Sequence, residues 1–187
     1  MKKLAVFFPG LGYNHDKPLL YYARDIACEC GFTEYVNVTY EYQADKKTLR
    51  GNDEKMAEIF TALYAQAAVQ LSKISFDAFD EILFVSKSIG TAVAAAYAKE
   101  HHLKNIKHVF YTPLLLTYDH APENAAAFIG TNDPWSNVPE VIRTSESKGI
   151  PVNVYEGLNH SLEGDDTLEN IKTIKNVMKK TKAFINS

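Results

Sequence analysis

Along the chain, unbroken apolar runs alternate with longer stretches in which apolar side chains recur every three or four positions. Leu4 to Phe8 is the first such run and stops at Pro9-Gly10, the pattern of a strand buried on both faces. Asp16 and Pro18 open a helix in which Leu19, Ala23, Ile26, Ala27 and Cys30 keep helical spacing until Gly31. Tyr35 to Tyr40, with Val36, Val38 and Thr39, predicts a second strand. From Asp53, the positions Met56, Phe60, Leu63, Ala67, Leu71 and Ile74 predict a long amphipathic helix. Glu81 to Val85 predicts a third strand, followed at once by Ser86-Lys87-Ser88-Ile89-Gly90 and an alanine-rich helix from Thr91 to His101. Ile106 to Tyr111 and Ala125 to Ile129 predict two further strands, closed by Pro113 and Gly130. A helix from Val138 to Lys148 and a sixth strand from Val152 to Tyr155 follow. Leu168, Ile171, Ile174 and Met178 line a last helix.

This alternation predicts a doubly wound α/β fold, a mostly parallel six-stranded sheet with helices on both faces. No repeat or linker-like tract divides the 187 residues, so one domain spanning 1–187 is expected. Ligands of such folds bind beyond the carboxyl ends of the strands, so the segments just after each strand are where chemistry should lie.

Composition narrows the choice by exclusion. Hydrophobic residues make up 46% and charged residues 23%, which disfavours a disordered chain. A net charge of −3 with interspersed signs offers no footprint for nucleic acid, so none is expected as a partner. No apolar stretch approaches the roughly 20 residues a membrane span needs. Met1-Lys2-Lys3 and the apolar run after it imitate a signal peptide. The run is short, however, meets Pro9-Gly10 at once and lacks a small-x-small cleavage site, so a cytoplasmic protein is expected. Cys28 and Cys30 stand in a C-x-C spacing that matches neither a redox motif nor a zinc pair. No cluster has metal spacing, and neither a metal nor a cofactor is expected.

Three segments carry candidate chemistry. Ser88, between strand and helix in S-K-S-I-G, is a variant of G-x-S-x-G, in which the turn pushes the hydroxyl out above the sheet. Serine is also a common helix cap, so Ser88 alone is a weak signal. Asp133, in G-T-N-D-P-W after the fifth strand, would by itself read as a turn residue before Pro134. His160, in G-L-N-H-S-L-E after the sixth strand, is the best placed of six histidines. Together they give nucleophile, acid and base in the order Ser, Asp, His at one sheet edge. The chemistry requires all three, because a serine hydroxyl is a poor nucleophile until a histidine takes its proton and a carboxylate orients that histidine. The first loop, Pro9-Gly10-Leu11-Gly12-Tyr13-Asn14, is able to aim the Leu11 N–H at an oxyanion, paired with the Ile89 N–H. The rival reading, a phosphate-binding loop, lacks its third glycine, because His15 stands there.

At these residues the chain resembles the α/β-hydrolase superfamily, in particular its small dienelactone-hydrolase-like and serine-esterase-like members, over nearly its whole length. The resemblance implies strand order 2-1-3-4-5-6, a Ser88–His160–Asp133 triad and an oxyanion hole from Leu11 and Ile89. Two departures stand out: Pro9-Gly10 replaces the usual His-Gly, and Ser86 the first elbow glycine. About a dozen residues join the fourth and fifth strands, too few for a helical cap, so an open site and a small substrate are implied. Tyr13, Asn14, His15, Pro113, Leu114, Leu115 and Trp135 are candidate pocket residues, with Tyr13, Asn14, Leu114 and Trp135 the leading ones. Lys87 is expected to point to solvent or pack its stem elsewhere. His101 and His102 are read as surface residues, and Asp119 is the runner-up acid. The expected activity is hydrolysis of small carboxylic esters or thioesters through an acyl-enzyme, with thioesterase, acyltransferase and amidase chemically adjacent. The alternative is a non-catalytic binding or scaffold protein on the same fold, motivated by Pro9 and Ser86. The sequence leaves the oligomeric state open.

Overall fold

The computed structural model describes residues 1–42, 49–120 and 122–187. Six strands, β1 (Lys3–Phe8), β2 (Glu34–Asn37), β3 (Glu81–Lys87), β4 (Ile106–Tyr111), β5 (Ala125–Gly130) and β6 (Val152–Tyr155), form one sheet. All pairings are parallel, in the order β2-β1-β3-β4-β5-β6. Helices α1 (Pro18–Glu29), α2 (Asp53–Leu71), α3 (Ile89–Glu100), α4 (Val138–Ser147) and α5 (Thr167–Ile185) alternate with the strands.

The period-two alternation of the strands sorts the core into two layers. Ala5, Phe7, Leu83 and Val85 face α1 and α5, meeting Leu19, Ala23, Val177 and Met178. Leu4, Val6 and Phe84 face the other way, against Ile59 and Leu63 of α2 and Val93 of α3. That layer continues under α4, where Phe110 and Ala127 meet Val138 and Val141. Because both faces are covered, β1, β3 and β5 carry continuous apolar runs, Leu4–Phe8, Ile82–Val85 and Ala125–Ile129, rather than polar alternation. After β1 the chain adds β2 on one side and then crosses to add β3 on the other. The crevice beyond β1 and β3 is therefore the switch point of the sheet, the place where such folds bind ligands.

Element boundaries differ from the sequence reading at the edge strand and at the elbow. β2 ends at Asn37 rather than running to Tyr40. Gln70 of α2 accepts from the Thr39 N–H (2.9 Å) and donates to the Thr39 carbonyl (2.8 Å), and Gln66 does the same for Glu41 (2.8 and 3.1 Å). Two glutamines one helical turn apart thus stand in for a neighbouring strand and draw the chain off the sheet edge. β3 runs two residues further than expected, to Lys87, and α3 begins at Ile89 rather than Thr91. Only Ser88 separates them.

Candidate active site

A strand that turns directly into a helix must reverse its backbone in one residue. Ser88 does so at φ 57°, ψ −128°, a conformation that non-glycine residues adopt only where the surroundings impose it. Its N–H donates to the Tyr111 carbonyl (3.0 Å) and its carbonyl accepts from the Thr91 N–H (2.9 Å), which ties the turn to β4 on one side and α3 on the other. A Cβ at position 90 would overlap the Pro9 carbonyl oxygen and come within 2.7 Å of that of Phe8. Glycine there lets α3 lie against β1. Ser86, the departure from an elbow glycine, is fully buried and turns its hydroxyl inward to donate to the Val109 carbonyl (3.2 Å).

The β1–α1 loop closes against this turn. Gly10 and Tyr13 exchange two backbone hydrogen bonds of 3.2 Å each, leaving Leu11 and Gly12 at the tip with the Leu11 N–H outside the bonded ring. A Cβ on Gly10 would sit 3.1 Å from that of Ser88, so the loop passes hard against the elbow. Ile89 opens α3, where the first N–H groups have no intrahelical acceptor. Leu11, Ser88 and Ile89 line one cavity of about 180 Å³, together with Met56, Leu114, Trp135 and His160.

Asp133 and His160 arrive from β5 and β6. The Asp133 carboxylate is wholly buried: Oδ1 accepts from the Trp135 N–H (2.9 Å) and Oδ2 lies 2.6 Å from His160 Nδ1. A carboxylate only accepts, so Nδ1 carries the hydrogen and Nε2 is left to accept from Ser88 Oγ at 2.8 Å. The His160 loop is folded on Asn159, whose Oδ1 accepts from the Ser161 N–H (2.7 Å) and the Glu163 N–H (3.3 Å), and on fully buried Leu162. Gly130 allows the close approach, since a Cβ there would overlap the Leu158 carbonyl oxygen.

Structures of the same architecture exist. A serine hydrolase homologue from Coxiella burnetii superposes with a TM-score of 0.65 at 12% identity, over 96% of this chain and 84% of that one. Est1E from Butyrivibrio proteoclasticus gives 0.66 at 10% identity, over 100% and 89%. XC6422 from Xanthomonas campestris, described as a serine hydrolase without lid, gives 0.62 at 11% identity, over 98% and 81%. The chain has the α/β-hydrolase fold. No family model and no curated sequence matches it, so the likeness lies in architecture.

On this hydrolase fold the predicted residues fare unequally. Tyr13, Leu114 and Trp135 line the cavity; Asn14 does not. It is exposed, and its Oδ1 accepts from the Asp16 N–H (3.3 Å) to shape the entry into α1. His15 also turns away, its Nε2 bonded to the Val38 carbonyl (2.7 Å). Asp119 is exposed on a 3₁₀ turn over Leu115–His120, and the carboxylate on His160 is that of Asp133. His101 and His102 are exposed, as expected. No α-helix is inserted between β4 and β5 among the described residues. Among those residues, too, no helix is long and apolar enough to cross a membrane, and no three His, Cys, Asp or Glu side chains gather as a metal site would need.

Lys87 overturns its expectation. It is 1% exposed, and its ammonium donates to Thr112 Oγ1 at 2.6 Å. The strand alternation explains why: Lys87 shares the face of Leu83 and Val85, and the Tyr13 and His160 loops close over it. Met56 on α2 was legible only as a core position, and it lines the cavity from the opposite side. The site's electrostatics follow from burial. The His160 imidazole is pushed down to about 4, first by desolvation and then by the Lys87 cation, with Asp133 opposing both. It is therefore neutral at pH 7, the form that accepts a proton.

Proposed function

We propose that the protein is a serine hydrolase that cleaves small carboxylic esters or thioesters. The observation that carries this reading is the unbroken chain from Ser88 Oγ to His160 Nε2 (2.8 Å) and from Nδ1 to Asp133 Oδ2 (2.6 Å), starting at a serine whose backbone is held at positive φ. Ser88 Oγ attacks the carbonyl carbon while its proton passes to His160 Nε2, and the carbonyl oxygen becomes an oxyanion facing the N–H groups of Leu11 and Ile89. One such donor is typically worth about 3 kcal/mol in the transition state. The intermediate collapses as His160 returns its proton to the leaving alcohol or thiol, giving an acyl-Ser88. Water, deprotonated by His160, then releases the acid and restores the hydroxyl. Asp133 holds the tautomer and stabilises the imidazolium throughout.

The lining of Leu11, Met56, Ile89, Leu114 and Trp135 is apolar, and its volume of about 180 Å³ suits a short acyl group. Est1E, which shares the fold, has been seen with ferulic acid bound, consistent with a small carboxylic acid product here. A fluorophosphonate probe tests the nucleophile: labelling of the wild type and none of Ser88→Ala or His160→Ala is expected. A folded wild type that takes no label would favour a binding protein instead. Among p-nitrophenyl esters the acetate and butyrate should turn over fastest, and a preference for decanoate would overturn the short-acyl reading. Loss of Ser88 should cost on the order of 10⁶ in kcat.

A further inference from the structure

The reaction above leaves a buried cation beside the base unexplained. Lys87 is the last residue of β3, one position before the nucleophile, and its Nζ lies 5.0 Å from the centroid of the Tyr13 ring and 2.6 Å from Thr112 Oγ1. Thr112 is itself fully buried, with φ 45° and its N–H on the Phe128 carbonyl (2.7 Å), so the acceptor is rigid. Burying an ammonium is expensive, and an apolar side chain of equal length would pack beside Val85 at lower cost. What the lysine adds is charge.

The groups that face it come from every loop at this edge. Tyr13 of the β1–α1 loop presents its ring, with its hydroxyl engaged by the Leu19 N–H (3.0 Å). Tyr111 of β4, its register partner, sends its hydroxyl to Thr181 of α5 (2.7 Å). Asp133 follows β5, and His160 and Glu163 follow β6. Lys87 and His160 line one cavity and the Asp133 carboxylate on His160 is wholly buried, so ammonium, imidazole and carboxylate interact more strongly than they would in solvent, with half-buried Glu163 at the rim.

We propose that Lys87 is a positioning residue that acts through His160: its ammonium is the counter-charge of Asp133 and keeps the imidazole neutral and ready to accept the Ser88 proton. This rests on the hydrolase reading for its purpose. The sign follows from elementary electrostatics. Asp133 alone would favour the imidazolium and fill the base with a proton; a nearby cation subtracts from that field. Burial lowers the Lys87 ammonium to about 7, against the pull of Asp133 and Glu163. The counter-charge is then fully present below neutral pH, where His160 is at risk of protonation, and fades above it.

Proton NMR titration of His160 in wild type, Lys87→Met and Lys87→Arg tests this without requiring turnover. Lys87→Met should raise the His160 midpoint from about 4 toward the free value, by at least about half a pH unit. The acid limb of kcat/KM should move with it, and Lys87→Arg should leave both in place. A folded Lys87→Met with an unmoved midpoint overturns the proposal, as does an arginine variant that shifts as far as the methionine one. Should the methionine variant not fold, the wild-type Lys87 ¹⁵Nζ signal decides: a step in its shift as His160 titrates near pH 4 supports the proposal, and a signal flat through that pH overturns it. A protein inert to esters with a coupled His160 would sink the hydrolase reading alone; ester turnover with an uncoupled His160 would sink this one alone.

Discussion

Around Ser88 the main chain itself sets the geometry. Ser88, the proposed nucleophile, sits at φ 57° between a buried strand and a buried helix, and the elbow closes only because Gly90 lets the carbonyls of Phe8 and Pro9 approach. Around His160 side chains share the task with backbone bonds, among them Asn159 N–H to the Glu163 carbonyl (3.0 Å) and Leu162 N–H to the Asn159 carbonyl (2.9 Å). A loop after the short edge strand β6 is folded by Asn159, pinned by Leu162 and aimed by one carboxylate oxygen. The elbow is continuous with the core and shares its stability, whereas the loop lies at the rim, held by one buried side chain, Leu162, and a few hydrogen bonds. The lesson is that the placement of Ser88 is tied to folding, while that of His160 is more separable from it and open to adjustment.

Adding one methyl group under each half should break the comparison or bear it out. Gly90→Ala forces α3 away from β1 and disturbs Ser88 and the Leu11 loop together. Loss of at least about 3 kcal/mol of stability is expected, since overpacking of a rigid core exceeds the usual cost when backbone atoms collide. Gly130→Ala pushes on the Leu158 carbonyl instead. The approach there is closer still, 2.1 Å to a backbone oxygen, but the backbone that must move is a rim loop. The cost should therefore be smaller than for Gly90→Ala, about 2 kcal/mol, with kcat/KM reduced roughly 100-fold through misplacement of His160. Urea denaturation and ester turnover measure both, and equal stability losses would contradict the distinction.

A smaller effect is expected from Asn159→Ala, which removes the acceptor for two N–H groups of the base loop while leaving the triad atoms in place. About 1 kcal/mol of local stability and roughly 10-fold in kcat should be lost, with KM nearly unchanged, because the deletion alters how often the base is aligned rather than how substrate binds. Faster amide exchange at Ser161 and Glu163, with no change at Ser88, would localise the effect to one half.

The elbow half was also the more legible in the sequence. S-K-S-I-G directly after an apolar run carries its geometry in adjacent residues, and the parallel sheet follows from the alternation of strands and helices. Its strand order was implied by the family resemblance rather than by local pattern. Asp133 and His160 were legible as candidates because each follows a strand of the same sheet. What escaped were features determined by distant partners. Lys87 has a strand-end position that usually faces water, and its burial depends on loops around Tyr13 and Leu162. Asn14 looks like a pocket residue until its bond to Asp16 is seen, and the early end of β2 is dictated by Gln66 and Gln70, some thirty residues on. Local pattern reports the sheet; cross-loop contacts finish the site.

The smallest effect at neutral pH separates the halves most sharply. Trp135 and Leu114 both wall the cavity, but only Trp135 stands against the base, its ring 6.0 Å from that of His160. Burial is the largest cause holding His160 near 4. Truncating the indole admits water, stabilises the imidazolium and raises the value, so less of the neutral base survives between about pH 4 and 6. Trp135→Ala should therefore lose activity in that acid window and, at pH 8, change kcat/KM by less than about 5-fold. Leu114→Ala opens the same cavity on the elbow side and should leave the acid limb where it is, because it uncovers no titrating group. pH profiles of the two variants with one short ester decide the matter. If both limbs moved together, the cavity would be a single dielectric environment and the division between Ser88 set in the core and His160 held at the rim would lose its electrostatic meaning.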